Sequence, residues 1–142
     1  MSASVNYAKL RVLVVEDETY TSNLICRLLR QVGVEFISTA TNGKDGLMET
    51  VRTRPGIVFC DVHMAPMNGK QFLQGVRSIK VKDVDKTAVV FLTGDSDAET
   101  VNFAIEHHVN GYLVKPVSLS RLKDAIDKVV ASDPGLLERT AP

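Results

Sequence analysis

The chain has 142 residues and a mass of 15.5 kDa, with 44% apolar and 24% charged side chains, the composition of one globular domain with a real core. Its 17 Lys and Arg balance 17 Asp and Glu, and neither half is lopsided (8 basic and 7 acidic residues over 1–71, 9 and 10 over 72–142), which argues against direct nucleic-acid or membrane binding. Cys26 and Cys60 are too few for a disulfide framework or a zinc cluster, no apolar run approaches the ~20 residues of a membrane span, and the N-terminus lacks the layout of a signal peptide, so a cytoplasmic domain is expected.

In chain order the apolar pattern alternates between two periods. Val12–Val15 is a short continuous run and reads as a strand buried on both faces. Ser22 to Val32 carries a helical stripe of Leu24, Ile25, Leu28, Leu29 and Val32, stopped by Gly33. Val34–Ala40 reads as a second strand. A turn at Asn42 and Gly43 opens a helix with Leu47, Met48 and Val51, which ends before Pro55. Ile57–Cys60 is a third strand, and a loop with Pro66 and Gly69 leads to a helix with Phe72, Leu73, Val76 and Ile79. The charged connector Lys80–Lys86 precedes a strand at Ala88–Leu92. Val101, Ala104 and Ile105 mark a fourth helix, Tyr112–Val114 a fifth strand, and Leu119, Leu122, Ile126, Val129 and Val130 a fifth helix. Residues 1–9 read as an N-terminal extension, 10–131 as the domain, and 132–142 as a loose tail or the start of a linker.

Strands that alternate with helices, and that are apolar throughout, imply a parallel sheet covered on both faces by right-handed crossovers. The expected fold is α/β, a flavodoxin-like, doubly wound (βα)5 sandwich with strand order 2-1-3-4-5, whose functional crevice lies at the carboxyl ends of the strands. Those ends carry Glu16-Asp17-Glu18, then Asp61, then Thr93-Gly94, then Lys115-Pro116. Any one of them alone reads as a cap, a loop residue or a solvated charge. Together they put three carboxylates, a hydroxyl and an ammonium at one edge. Such a cluster repels itself unless a cation neutralises it, and hard oxygen ligands suit Mg²⁺ (or Mn²⁺), which also binds phosphates. Lys115 supplies a point charge for a phosphoryl oxygen, Thr93 a hydrogen bond, and Gly94 leaves room beside it. An aspartate so placed is suited to attack phosphorus and form an acyl phosphate.

In that order VLVVEDE, IVFCDVHMAPMNG, VVFLTGD and GYLVKP resemble the receiver domain of two-component response regulators over residues 10–131. The resemblance implies that Asp61 accepts a phosphoryl group from a histidine kinase or a histidine phosphotransfer protein. It implies that Asp17 binds Mg²⁺ directly, that Glu16 acts through water, and that Asp61 and the backbone carbonyl of His63 complete the protein ligands. Thr93 and Tyr112 match the switch pair, which would reshape the face formed by the fourth helix, fifth strand and fifth helix. Lys115 matches the phosphoryl partner, with a cis bond to Pro116, and Gly94 and Asp95 match positions that govern access to the phosphoryl group. The resemblance further implies a downstream protein target or output domain, and it admits a phosphorylation-dependent homodimer.

Some positions depart from the family pattern. Pro66 stands one place later than usual, and His63 is read as an exposed loop side chain. His108 occupies a place where a glycine usually caps the fourth helix, so a left-handed conformation is expected there. Phe103 is assigned to the face of the fourth helix, fifth strand and fifth helix, while Cys60 and Cys26 are read as core. After Val130 too few residues remain for a DNA-binding or enzymatic module, which fits a stand-alone receiver or one excised from a longer regulator. Three alternatives are weaker. A small Mg²⁺-dependent phosphohydrolase usually has a second aspartate where this chain has His63. A flavodoxin-like cofactor carrier would want a phosphate loop where Glu16-Asp17-Glu18 would repel one. A degenerate receiver would have lost one of Asp17, Asp61, Thr93 or Lys115.

Overall fold

The computed structural model describes residues 5–94 and 98–139. Its five strands, β1 (Arg11–Val15), β2 (Phe36–Ala40), β3 (Ile57–Asp61), β4 (Ala88–Thr93) and β5 (Gly111–Val114), form one parallel sheet in the order β2-β1-β3-β4-β5. The connecting helices are α1 (Thr19–Val32), α2 (Gly43–Thr53), α3 (Gly69–Ser78), α4 (Ala98–Glu106) and α5 (Leu119–Ser132), followed by a short α6 (Leu136–Arg139). The architecture is the doubly wound sandwich that the sequence pattern implies. Among the described residues no helix is long and apolar enough to cross a membrane.

Because side chains alternate along a strand, each buried strand feeds two cores. Val12, Val14, Ile57, Phe59, Val90 and Leu92 join Ile25 and Leu29 of α1 and Leu122 and Ile126 of α5 on one side. Leu13, Val15, Val58, Cys60, Val89 and Phe91 join Phe72, Leu73 and Val76 of α3 and Ala104 of α4 on the other. Cys26 and Cys60 are both buried free thiols within these layers.

Several local expectations are corrected. α1 begins at Thr19 rather than Ser22, because Glu18 is extended and its carbonyl already accepts the Ser22 amide at 3.0 Å. Gly33 ends the helix at φ 119, and Val34 serves as a buried anchor before β2 opens at Phe36. In α2 the packed face is Gly43, Gly46 and Thr50, while Met48 (64%) and Val51 (40%) are exposed. The helix lies too close to the sheet for a bulky stripe: a Cβ on Gly46 would stand 3.0 Å from Val15 Cγ2 and 3.1 Å from Phe72 Cε1. On α4, Thr100 and Ala104 are buried and Ile105 is exposed, so a period read from apolar residues alone misplaces that face. Phe103 turns toward α3, where its ring meets Lys70, and not toward β5 and α5.

His108 adopts φ 56, as its place after α4 led us to expect. Its carbonyl accepts the Arg77 guanidinium at 3.2 Å, and the same guanidinium reaches the carbonyls of Asp85 (3.0 Å) and Thr87 (2.7 Å) and Asn110 Oδ1 (3.1 Å). One α3 side chain thus pins the connectors before β4 and β5 at the amino end of the sheet. That end is closed by chain outside the sandwich. Tyr7 donates to Asp127 Oδ1 of α5 at 2.6 Å, and Leu10 is fully buried. The tail read as loose is anchored, with Leu136 1% exposed beside Gly56, where an added Cβ would meet Leu10 Cδ1 at 3.2 Å and Leu136 Cδ2 at 3.3 Å. We expect Leu136→Ala to lower the unfolding free energy by about 2–4 kcal/mol in urea titrations, because it leaves a cavity in a closed core. A change under about 0.5 kcal/mol, the range of surface substitutions, would remove α6 from the core.

Candidate functional site

A parallel sheet in register brings the carboxyl ends of neighbouring strands side by side. Here Val15 is level with Cys60, Asp61 with Leu92, and Thr93 with Val114. The ladder runs one residue beyond β1, β3 and β5: the Glu16 amide donates to the Ala40 carbonyl (3.0 Å), Val62 to Leu92 (3.2 Å) and Lys115 to Thr93 (2.8 Å). The residues after each apolar run are therefore held by backbone hydrogen bonds as firmly as the strands themselves.

The structure brings Glu16, Asp17 and Asp61 together, with a carboxylate oxygen from each within 4.8 Å of the others. Glu16 and Asp61 are buried, whereas Asp17 is exposed. Lys115 reaches between the two buried acids, its Nζ 2.6 Å from Glu16 Oε1 and 3.4 Å from Asp61 Oδ1. The His63 amide also donates to Asp61 Oδ1, at 3.4 Å, and the Glu18 amide to Glu16 Oε2 at the same distance. One lysine offsets this cluster only in part. Burial, reinforced by Asp61, pushes the Glu16 carboxyl up to about 7 despite the opposing pull of Lys115. Burial alone would lower the Lys115 ammonium, but Glu16 and Asp61 outweigh it and hold the group above its ordinary range. Hard oxygens from three acids, one of them open to water, fit a Mg²⁺ or Mn²⁺ ion that keeps part of its water shell. Among the described residues this trio is the one such convergence of acidic, histidine or cysteine side chains.

The loop after Asp61 is shaped by close approach. A Cβ on Gly69 would lie 2.4 Å from the Asp61 carbonyl oxygen, so only glycine admits α3 this near the strand end. The Gly69 amide donates to the Val62 carbonyl at 2.9 Å, and Asn68 with Gln71 forms a reciprocal capping box that starts α3. Gly69 was visible in the sequence as a residue of the loop before the helix; its contact with Asp61 was not, because it depends on tertiary approach. Within the loop Met67 sits at φ 65 and Ala65–Pro66 is cis, as is Lys115–Pro116 at the other side of the site.

Thr93 is buried at the end of β4, two places beyond Phe91, whose register partner is Tyr112. The Tyr112 ring packs partly against the α2–α3–α4 core, and among the described residues its buried hydroxyl has no hydrogen-bond partner. Gly94 is exposed, with open space among the described residues where a Cβ would stand, and His63 is exposed as well. Asp95 lies outside the described residues. The Cys60 thiol is pushed well above its ordinary range, first by burial and then by the charges of Asp61 and Glu16, so it stays protonated and serves packing. His107 sits against its own helix, Nδ1 3.1 Å from the Phe103 carbonyl.

Comparison with known proteins bears on this arrangement. Residues 12–127 match the family model described as the response regulator receiver domain. A probable chemotaxis protein CheY of Rhizobium etli is 31% identical over 121 residues, covering 85% of this chain and 92% of that protein. A probable C4-dicarboxylate response regulator DctR of Halalkalibacterium halodurans is 27% identical over 118 residues, covering 82% of this chain and 50% of that protein. The chain thus spans nearly the whole of one relative and half of the other. Among solved structures, chemotaxis protein CheY4 of Vibrio cholerae superposes with a TM-score of 0.76 at 26% identity, covering 84% of this chain and 98% of that one.

The Glu16 environment makes stability depend on pH in a definable direction. Its carboxyl is raised from 4.5 to about 7 in the folded chain, so between those values the folded state holds a proton that the unfolded state has released. The contribution of this group to stability is therefore full below pH 4.5 and is lost as pH rises through 7. In metal-free buffer with chelator, we expect this loss to be on the order of 2–3 kcal/mol between pH 4.5 and 7.5, and to be absent in Glu16→Gln. Equal slopes in both proteins, from denaturant titrations across that range, would contradict the assignment.

Proposed function

The chain belongs to the response regulator receiver domain family of two-component signalling, and from that membership we propose that Asp61 is its phospho-accepting residue. The observation that carries the reading is the placement of Asp61 Oδ1, 3.4 Å from both Lys115 Nζ and the His63 amide, within a trio of converging carboxylates. In the proposed step a carboxylate oxygen of Asp61 attacks the phosphorus of a phosphohistidine. A phosphorus–oxygen bond forms, the phosphorus–nitrogen bond breaks, and the imidazole leaves with the bonding electron pair.

Asp17, Glu16, Asp61 and the His63 carbonyl would hold a divalent cation. That ion, when bound, neutralises the cluster and the charge on the transferring oxygens. Lys115, fixed through its backbone to Thr93, would leave its pairing with Glu16 and Asp61 to meet a phosphoryl oxygen. The Thr93 hydroxyl would move toward the same group, and Tyr112 would turn behind it. Open space beside Gly94, together with Asp95, would set access for the donor and for water. The role is that of a switch and not of an enzyme turning over external substrate. It would be loaded by a histidine kinase or phosphotransfer protein and read by a protein target, an output domain or a second copy through the α4–β5–α5 face. Relatives that differ in length, one matched over 92% and another over 50%, fit either a stand-alone receiver or one joined to an output domain.

The test is intact mass after incubation with Mg²⁺ and acetyl phosphate. We expect one added phosphoryl group in the wild type, none in Asp61→Asn or with chelator, and a rate at least about tenfold lower in Lys115→Ala. Retention of the added mass in Asp61→Asn, or its absence in the wild type beside a control receiver that is modified, contradicts the proposal. Sustained phosphate release from varied phosphoesters would instead point to a phosphohydrolase.

A further inference from the structure

Among the described residues of α4, Thr100 and Ala104 are buried, while Ile105 is 71% exposed. The sideways tie of α4 is to Lys70, in the first turn of α3. The Lys70 ammonium lies 3.8 Å from Glu99 Oε1 and 5.2 Å from the centroid of the Phe103 ring. Glu99 and Phe103 stand one helical turn apart on the same side of α4, so one ammonium engages both. Phe103 is braced in turn by His107, with ring centroids 4.0 Å apart and planes 15° from parallel. The base of Lys70 is fixed as well. Gly69 precedes it, and Gly69 is held against the Asp61 carbonyl and bonded to Val62. The clasp therefore runs from the strand end that carries Asp61 to the helix that follows Thr93.

We propose that Lys70 is a positioning residue that clasps α4 to α3 while Asp61 is unphosphorylated, and so sets how readily α4 leaves its resting place. The inference rests on the reading of Asp61 as the phosphoacceptor. An exposed ion pair and a single cation–π contact are each weak, and that is what suits them to the task. Together they bias a two-state equilibrium several-fold without locking it. Extra negative charge at Asp61 arises at the strand end where the base of Lys70 is seated. Because a ligand of the phosphorylated-like state must overcome whatever stabilises the resting one, removal of the clasp on its α4 side strengthens that ligand's binding. Substitution at Glu99 and Phe103 leaves the Lys70 charge in place, which separates the clasp from any direct attraction of Lys70 for the incoming anion.

The test is titration of the full chain with beryllofluoride in Mg²⁺, followed by calorimetry, together with amide exchange of α4. We expect Glu99→Gln to raise the apparent affinity about twofold, and Glu99→Gln with Phe103→Leu to raise it about five- to tenfold. In the unliganded double variant, exchange should quicken in α4 and stay unchanged in α3. Unchanged or weaker affinity in both variants overturns the clasp. Glu99 is exposed, so Glu99→Gln folds as the wild type does and keeps the test decisive if the double variant is destabilised. A wild type that fails to bind beryllofluoride and Mg²⁺ defeats the acceptor reading itself; a wild type that binds with its variants unchanged defeats the clasp alone.

Discussion

Carboxylates repel one another, and three of them converge here within 4.8 Å, two with little water to screen them. Such a group survives in a folded chain only where something holds the acids in place and something else offsets their charge. The backbone ladder does the first, since Glu16, Val62 and Lys115 are each bonded to a neighbouring strand or strand end. Lys115 does part of the second, and Glu16, at about 7, shows how much charge remains to be neutralised. A net charge of zero over 142 residues conceals this local imbalance. In the proposed function a cation and a phosphoryl group would answer different halves of it: the first would relieve the acids, and the second would give Lys115 an anion to meet.

The rest of the fold fastens the two ends of the sheet in different ways. At the amino end of the sheet, Arg77, Tyr7 and Leu136 close the connectors and both chain extensions against the core. At the carboxyl end, α3 begins directly against the Asp61 carbonyl through Gly69. α4 is tied to α3 through Lys70, and among the described residues the Tyr112 hydroxyl is buried without a hydrogen-bond partner. A buried hydroxyl left unsatisfied costs stability. Lys70 has its base in the first turn of α3 and its ammonium on α4.

Strands were legible in the sequence because each is a run of apolar residues short enough to be a strand and too continuous for an exposed face. Their order is the one that five alternating strands and helices most often take, and the convergence of Glu16, Asp61, Thr93 and Lys115 at one edge was expected from that order. The left-handed turn at His108 was also legible, since a helix must end there without glycine. What escaped depends on distance between elements and not on local pattern. Met48 and Val51 read as core because hydrophobicity carries no record of how near α2 lies to the sheet, whereas Gly46 against Val15 decides the matter. Phe103 was given to the wrong side of α4 because its partner, Lys70, is charged and lies in another helix. Leu136 looked like a tail residue, since a pair of adjacent leucines after a Pro-Gly turn gives no periodic signal, yet Leu10 and Gly56 receive it.

Calorimetric titration of Mg²⁺ into the metal-free protein near pH 7.5 probes the carboxylate cluster most directly. Expected is a single saturable site, lost in Asp17→Asn, weakened in Asp61→Asn, and accompanied by proton release that vanishes in Glu16→Gln, since Glu16 titrates at about 7. Binding that is unaffected by all three substitutions, or no binding at millimolar Mg²⁺, would contradict the account of this edge as a cation-dependent centre.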